Sequence, residues 1–357
     1  MSDELNSEHR ENMIRADDVW NHLDQLTKPP RSLGRLEELA ARLCEIQQTL
    51  CPQTAPRRLV LFAGDHGVVE AGVTAWPSDV TGLMIDNIRK GGAASSVLAK
   101  QTQTDLQLID VGSFVEEHAE QPELAGIQFE NLRVRKGTRN LALEPAMTVQ
   151  EFEQAREMGR RLAIRAAEDG IRDVACGEMG IGNTTPAACL AMMLADVPLE
   201  YAVGRGAGSD DVILQRKREV VEDAVARARQ MMEGDEIGAI ASVCGLEIAA
   251  MAGFWEEAAR AGLTLVVDGY VVTAASLIAE RLSPGTTRQM LAAHLSAEPG
   301  HRLALEYLGL TPFLEWEMRL GEGTGALMLF PLLDCAAAIA SQMATFADLG
   351  IETEARS

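Results

Sequence analysis

Asp173-Val174-Ala175-Cys176-Gly177-Glu178-Met179-Gly180-Ile181-Gly182-Asn183-Thr184-Thr185-Pro186-Ala187-Ala188-Cys189-Leu190 places a strand-like run, a glycine-rich turn and an apolar helix start in direct succession. Asp173–Gly177 is short, apolar and ends in glycine, as a buried parallel strand does. Asn183 or Thr184 can cap the following helix, and Pro186 tolerates its first turn. The same grammar recurs outward from this stretch. Arg58–Gly64, Gln107–Gly112 and Thr264–Gly269 read as further strands. Between them, Phe152, Ala155, Met158, Leu162 and Ala166 recur at helical spacing, and Asp210–Met232 mixes apolar and charged residues as a surface helix does. Alternating strands and helices predict a three-layer α/β domain with functional residues on loops at the carboxyl ends of a parallel sheet.

The first fifty or so residues read as helix with no intervening strand, and Ala326–Phe346 is a nearly continuous apolar helix pattern. These ends are expected to pack together, so that 1–50 plus 326–357 form a small helical domain and 51–325 a large α/β domain. At 357 residues the chain can bury a sizeable core, filled mainly by aliphatic side chains because aromatics are only 4%. The net charge of -21 repels nucleic-acid phosphates and anionic lipid, which argues against polynucleotide partners. Any anionic substrate then needs a local basic cluster or a helix N-terminus. The six cysteines are scattered without zinc-site or disulfide spacing, and neither a secretory signal nor a membrane span is expected, so a cytoplasmic protein with reduced thiols is the simplest expectation.

Gly177–Pro186 lacks the Gly-Lys-Ser/Thr ending of a P-loop and does not fit the dinucleotide fingerprint. Its unpaired helix-start amides suit a phosphate, and a well-capped ordinary loop is the alternative. In Arg319-Leu320-Gly321-Glu322-Gly323-Thr324-Gly325-Ala326, glycine flanks let a ligand approach the Glu322 carboxylate, which suits a general base; a helix cap or dipole partner is the alternative. Two clusters carry basic charge, Gly204-Arg205-Gly206-Ala207-Gly208-Ser209-Asp210-Asp211 with Lys217, and Lys136-Gly137-Thr138-Arg139-Asn140. Either can meet an anion. Lys217, about two turns into a helix capped by Ser209 or Asp210, can reach back to its loop or remain solvated. Asp65-His66-Gly67 follows the first strand without HExxH or Gly-x-Ser-x-Gly, so His66 is expected to shape the site by hydrogen bonding.

Together these segments resemble the nicotinate-nucleotide:dimethylbenzimidazole phosphoribosyltransferase family of the cobalamin pathway. The marks run through nearly the whole chain: Lys28-Pro29-Pro30-Arg31-Ser32-Leu33-Gly34, Phe62–Gly72, Gly137–Thr148, Gly177–Pro186, Gly204–Asp211, Val267–Gly269, Ser296–His301 and Arg319–Ala326. The resemblance implies a Rossmann-like α/β large domain, a small helical domain from distant parts of the chain, and a homodimer. It also implies that Glu322 is the general base, with Glu178, Gly180, Ile181, Gly182, Asn183, Thr184 and Lys217 around the nucleotide and its phosphate. Gly204, Arg205 and Leu320 are counted with the substrate-binding positions.

The chemistry fits a single carboxylate base. In nicotinate mononucleotide the pyridinium nitrogen is already cationic, so it departs neutral without an acid. The incoming azole must lose a proton from its second nitrogen, which Glu322 would accept. Glu178 would stabilise the oxocarbenium-like centre, and no metal or redox cofactor is required. Where many relatives have a tyrosine and, further on, a glutamine before methionine, this chain has Ala75-Trp76-Pro77 and Thr81-Gly82-Leu83-Met84. Trp76, Leu83 and Met84 would make a more apolar wall for a flat ring. The altered pocket also motivates an alternative, a non-catalytic base- or nucleotide-binding subunit of a heteromeric transferase.

Overall fold

The computed structural model describes residues 14–351 other than 119, 121, 123, 207 and 209. Six strands form one sheet: β1 (Arg57–Gly64), β2 (Asp105–Gly112), β3 (Ile127–Asn131), β4 (Asp173–Met179), β5 (Thr264–Val267) and β6 (Met290–Ala292), in the order β3-β2-β1-β4-β5-β6. Every neighbouring pair is parallel. This is the doubly wound Rossmann order that the resemblance implies, and it agrees with the three-layer α/β domain that the alternating pattern predicts. All eight residues of β1 are buried, which is why Arg57-Arg58-Leu59-Val60-Leu61-Phe62-Ala63-Gly64 reads as continuous rather than alternating hydrophobicity.

The sequence reading finds four of these strands and misses two, each for a physical reason. β3 is an edge strand in which only Ile127 is buried, so it lacks an apolar run; β6 has three residues, too few for periodicity. The first strand gains one residue, β4 extends past Gly177 to Met179, and β5 stops at Val267, which leaves Glu178 within a strand and Asp268 just beyond one. Flanking helices close the core. Val149–Glu168 begins with a reciprocal capping box in which the Glu151 amide donates to the Thr148 hydroxyl and the Thr148 amide to the Glu151 carboxylate. Leu246–Arg260 is buried along most of its length, and its Phe254 meets Phe62 of β1 edge-on at 6.1 Å between ring centres. Removing such a ring costs about 3–5 kcal/mol.

The described residues divide into two compact units, one of 56–329 and one combining the chain ends up to 55 and from 330 onward. The end unit contains helices Ala16–Asp24 and Arg35–Gln47. Its Lys28–Gly34 turn is tied by a buried ion pair: Glu37 accepts from the Lys28 ammonium at 2.5 Å and from the Leu33 amide at 2.8 Å. One sequence expectation needs correction. Helix Thr324–Gln342 is long and apolar enough to cross a membrane by length and composition, because its acidic and basic content is confined to Asp334. Core helices of soluble proteins pass the same test, and 56% of its apolar window is buried.

The carboxyl ends of β1 and β4 flank the point where strand order reverses, which is where open α/β sheets bind ligands. Asp65 and His66 leave β1 there, Gly180–Asn183 leaves β4, and Asp268 follows β5.

Candidate active site

A cavity of about 280 Å³ opens over these strand ends. Glu178 through Thr184 form one wall, Arg319–Glu322 another, Asp268–Val272 with His294 and Ser296 a third, and Thr74, Trp76, Val80 and Met84 a largely apolar fourth. The two glycine-rich turns singled out by sequence therefore share one hollow.

The Gly180 turn is built by close approach. A Cβ on Gly180 would lie 2.1 Å from the Gly64 carbonyl oxygen at the end of β1, so only glycine lets the two strand ends meet. Helix Thr184–Leu194 follows. Asn183 occupies its N-cap position without capping it; the Asn183 side-chain amide instead donates to the Glu178 carboxylate. The Ile181 amide donates to the Thr81 hydroxyl at 3.1 Å, which fastens the turn to helix Asp79–Arg89 bearing Val80 and Met84. Beneath the helix start lies Lys217. Its ammonium donates to the Thr184 hydroxyl at 2.7 Å and to the Gly204 carbonyl at 3.3 Å, and only 2% of the residue is exposed. Burial lowers its pKa to about 8, against the pull of Glu298. The solvated alternative for Lys217 is thereby excluded. Asp210 caps its helix, Asp211–Met231, by accepting from the Ile213 amide, while Ser209 lies outside the described residues. Arg319 adds a second cation near the turn, donating to the Gly206 carbonyl.

The opposite end of the cavity is acidic. Glu322 is buried and sits in the left-handed region at φ 57°, between Gly321 and Gly323, which are also left-handed. Its Oε2 accepts from the Ser95 hydroxyl at 2.8 Å and the Ser95 amide at 3.3 Å. Gly177 makes room for this turn, since a Cβ there would lie 2.7 Å from the Glu322 carbonyl carbon. Burial, reinforced by the charges of Asp268 and Glu247, pushes the Glu178 carboxyl well above the usual range. Asp268, raised likewise by burial, accepts from the Ala326 amide at 3.0 Å and so anchors the helix that follows Glu322. His294 stands 3.7 Å from Asp268. His301 accepts from the Ser296 amide at Nδ1, so Nε2 carries the proton and faces Thr273; burial drops its pKa to about 3 and keeps it neutral. Under the Gly180 turn, burial opposes protonation of His66, yet Glu247 at 3.0 Å outweighs it and raises the pKa. His66 thus pairs with Glu247 beneath the turn and outside the cavity lining, an ion pair in place of the expected hydrogen bond.

The arrangement is bipolar. A helix start, Lys217 and Arg319 suit an anion, while Glu178, Asp268 and Glu322 suit a group that carries or develops positive charge and a proton that must be removed. Among the described residues no cluster could hold a metal ion.

Of the residues singled out in the sequence, Glu178, Gly180, Ile181, Gly182, Asn183, Thr184, Trp76, Met84, Leu320 and Glu322 line the cavity. Lys217 reaches it through Thr184. Gly204 and Arg205 line an adjoining hollow instead, and Arg205 pairs with Asp211. Leu83 is 67% exposed and outside the lining, because a helical neighbour of Met84 is turned about 100° away from it. The Lys136–Asn140 cluster is spent on internal ion pairs, Lys136 with Glu116 and Arg139 with Glu151. Sequence reasoning gives no role to Ser95, Thr81, Asp268, His294 or Arg319. Asp268 carries a usable signal, an acid directly after a strand; Ser95 and Thr81 carry none, being single hydroxyls within helices.

The sequence matches the phosphoribosyltransferase family model over residues 10–351. A protein of Thermus thermophilus named nicotinate-nucleotide–dimethylbenzimidazole phosphoribosyltransferase is 46% identical over 329 residues, 92% of this chain and 96% of the relative. One of Pseudomonas putida with the same name is 45% identical over 327 residues, 92% and 91% of the two chains. The crystal structure of CobT from Thermus thermophilus superposes with a TM-score of 0.88 at 44% identity, covering 95% of this chain and 99% of that one. Fold, paired glycine-rich turns and similarity along nearly the whole length agree: the chain belongs to the nicotinate-nucleotide–dimethylbenzimidazole phosphoribosyltransferase family.

Proposed function

We propose that this chain transfers the 5-phosphoribosyl group of nicotinate mononucleotide to 5,6-dimethylbenzimidazole or a related aromatic base, giving an α-ribotide and nicotinate for the nucleotide loop of cobalamin. The observation that carries the reading is the shared cavity of Glu322 and the Gly180–Thr184 turn. The phosphate docks at the helix start with Lys217 and Arg319 beside it, and the ribose carbon lies toward the carboxylates. The C1′–N bond to the pyridinium breaks, its electron pair neutralises that nitrogen, and nicotinate leaves. The positive charge that develops on the sugar favours the ionised forms of Glu178 and Asp268, which burial alone disfavours, and those carboxylates offset it in turn. The azole nitrogen attacks C1′ from the opposite face, which converts the β- to the α-configuration, and Glu322 takes the proton from the other ring nitrogen. Trp76 and Met84 flank the acceptor ring. Since the departing ring nitrogen becomes neutral and a carboxylate removes the only proton, the mechanism has no step that calls for a metal or redox cofactor.

In this reading residues 1–50 with 326–357 are the small helical domain and 51–325 the large domain with the active site. The chain acts as a homodimer in the cytoplasm, without nucleic-acid or membrane partners. A non-catalytic subunit is the weaker reading, because the named relatives covering nine-tenths of the chain are transferases. Incubation of the purified protein with nicotinate mononucleotide should release nicotinate only when an aromatic base is added, with one α-ribotide formed per nicotinate, read by chromatography and proton NMR of the anomeric signal. Folded protein that makes no ribotide from any of a panel of azoles and phenols would refute the assignment.

A further inference from the structure

We propose that Ser95 is a positioning residue for this transfer, holding one oxygen of Glu322 so that the other stays free to take the acceptor's proton. The inference rests on Glu322 being the base.

Ser95 is the second residue of helix Ala94–Gln101, whose N-cap position is Ala93 and has no side-chain cap. The first-turn donors of such a helix need an acceptor from elsewhere. Glu322, 227 positions further along the chain, supplies it: its Oε2 accepts both the Ser95 hydroxyl and the Ser95 amide. Both partners are buried, Ser95 completely and Glu322 at 3% exposure, so water competes little for these bonds. Among the described residues no hydrogen bond reaches Oε1. The two oxygens are therefore unequal. Oε2 is committed to the helix end, and Oε1 is the one a ring N–H can approach.

Orientation of the base thus depends on a hydroxyl outside the cavity lining.

The test compares wild type, Ser95→Ala, Ser95→Cys, Ser95→Thr, Glu322→Gln and the Ser95→Ala/Glu322→Gln double variant, with nicotinate mononucleotide and 5,6-dimethylbenzimidazole at a single pH. Ser95→Ala should lower kcat about tenfold, the scale of one hydrogen bond to a charged group. Its KM for nicotinate mononucleotide should stay within about twofold, since no uniform binding contact is lost. Ser95→Cys, which keeps the volume and weakens the donor, should follow Ala, and Ser95→Thr should recover most of the rate. In the Glu322→Gln background, Ser95→Ala should cost nothing more, because Ser95 acts only through the carboxylate. Wild-type kcat in both Ala and Cys variants would overturn the inference, as would multiplicative losses in the double variant. A folded wild type without turnover in the same assay would instead remove the functional reading beneath it.

Discussion

The Lys217 ammonium lies 2.7 Å from the Thr184 hydroxyl, directly under the start of the helix that follows the Gly180 turn, with 2% of the lysine exposed. In the proposed reading this cation holds the nucleotide phosphate at the turn.

Its titration gives the first prediction. Burial lowers the Lys217 pKa to about 8, so the cation is present below that pH and is lost as pH rises through it. Nucleotide affinity should therefore be full on the acid side and fall above about pH 8, seen as a rising KM for nicotinate mononucleotide. Bound phosphate favours the protonated amine, so the alkaline limb of kcat should lie at higher pH than that of kcat/KM. Lys217→Met should raise that KM by about tenfold or more and flatten its alkaline dependence. A KM that ignores both pH and the substitution would remove Lys217 from the phosphate site.

Gly180→Ala tests the fit between strand ends. Its Cβ would meet the Gly64 carbonyl at 2.1 Å, a backbone atom that cannot swing aside. The turn must shift, so nicotinate mononucleotide should bind at least about tenfold more weakly, and overpacking should cost about 1–3 kcal/mol in thermal or denaturant unfolding. Calorimetric binding and unfolding together check this; wild-type values in both would mean the turn tolerates a side chain.

The acceptor wall yields a paired prediction. Trp76 lines the cavity while Leu83 points away from it. Trp76→Ala should raise the KM for 5,6-dimethylbenzimidazole several-fold, in line with about 0.5–1.5 kcal/mol for an aromatic contact beyond its buried area. Leu83→Gln should change it by less than about twofold. Steady-state titration of the base at saturating nucleotide distinguishes the two positions, and a larger effect at Leu83 would reverse the assignment.

These residues also mark what a sequence can and cannot tell. β1 and β4 are legible because a buried parallel strand must be continuously apolar and the turn beyond it needs glycine, so Leu59–Gly64 and Asp173–Gly182 carry both signals. Glu322 is legible because three successive left-handed residues demand glycines around any side chain placed there. β3 and β6 are not, one because only Ile127 is covered and the other because three residues have no period. Trp76, Leu83 and Met84 look equivalent in sequence; helix rotation alone separates Leu83 from Met84. Ser95 reaches Glu322 across 227 positions, and no local pattern encodes such a contact. The basic Lys136–Arg139 cluster misleads for the converse reason, since its partners Glu116 and Glu151 are distant in the chain.

The most direct test is the turnover of Glu322→Gln with nicotinate mononucleotide and 5,6-dimethylbenzimidazole. Glutamine keeps the shape and an acceptor for Ser95 but cannot take a proton. The predicted result is a fall in kcat of about 100-fold or more with nucleotide binding preserved. An unchanged kcat in the folded variant would contradict the account.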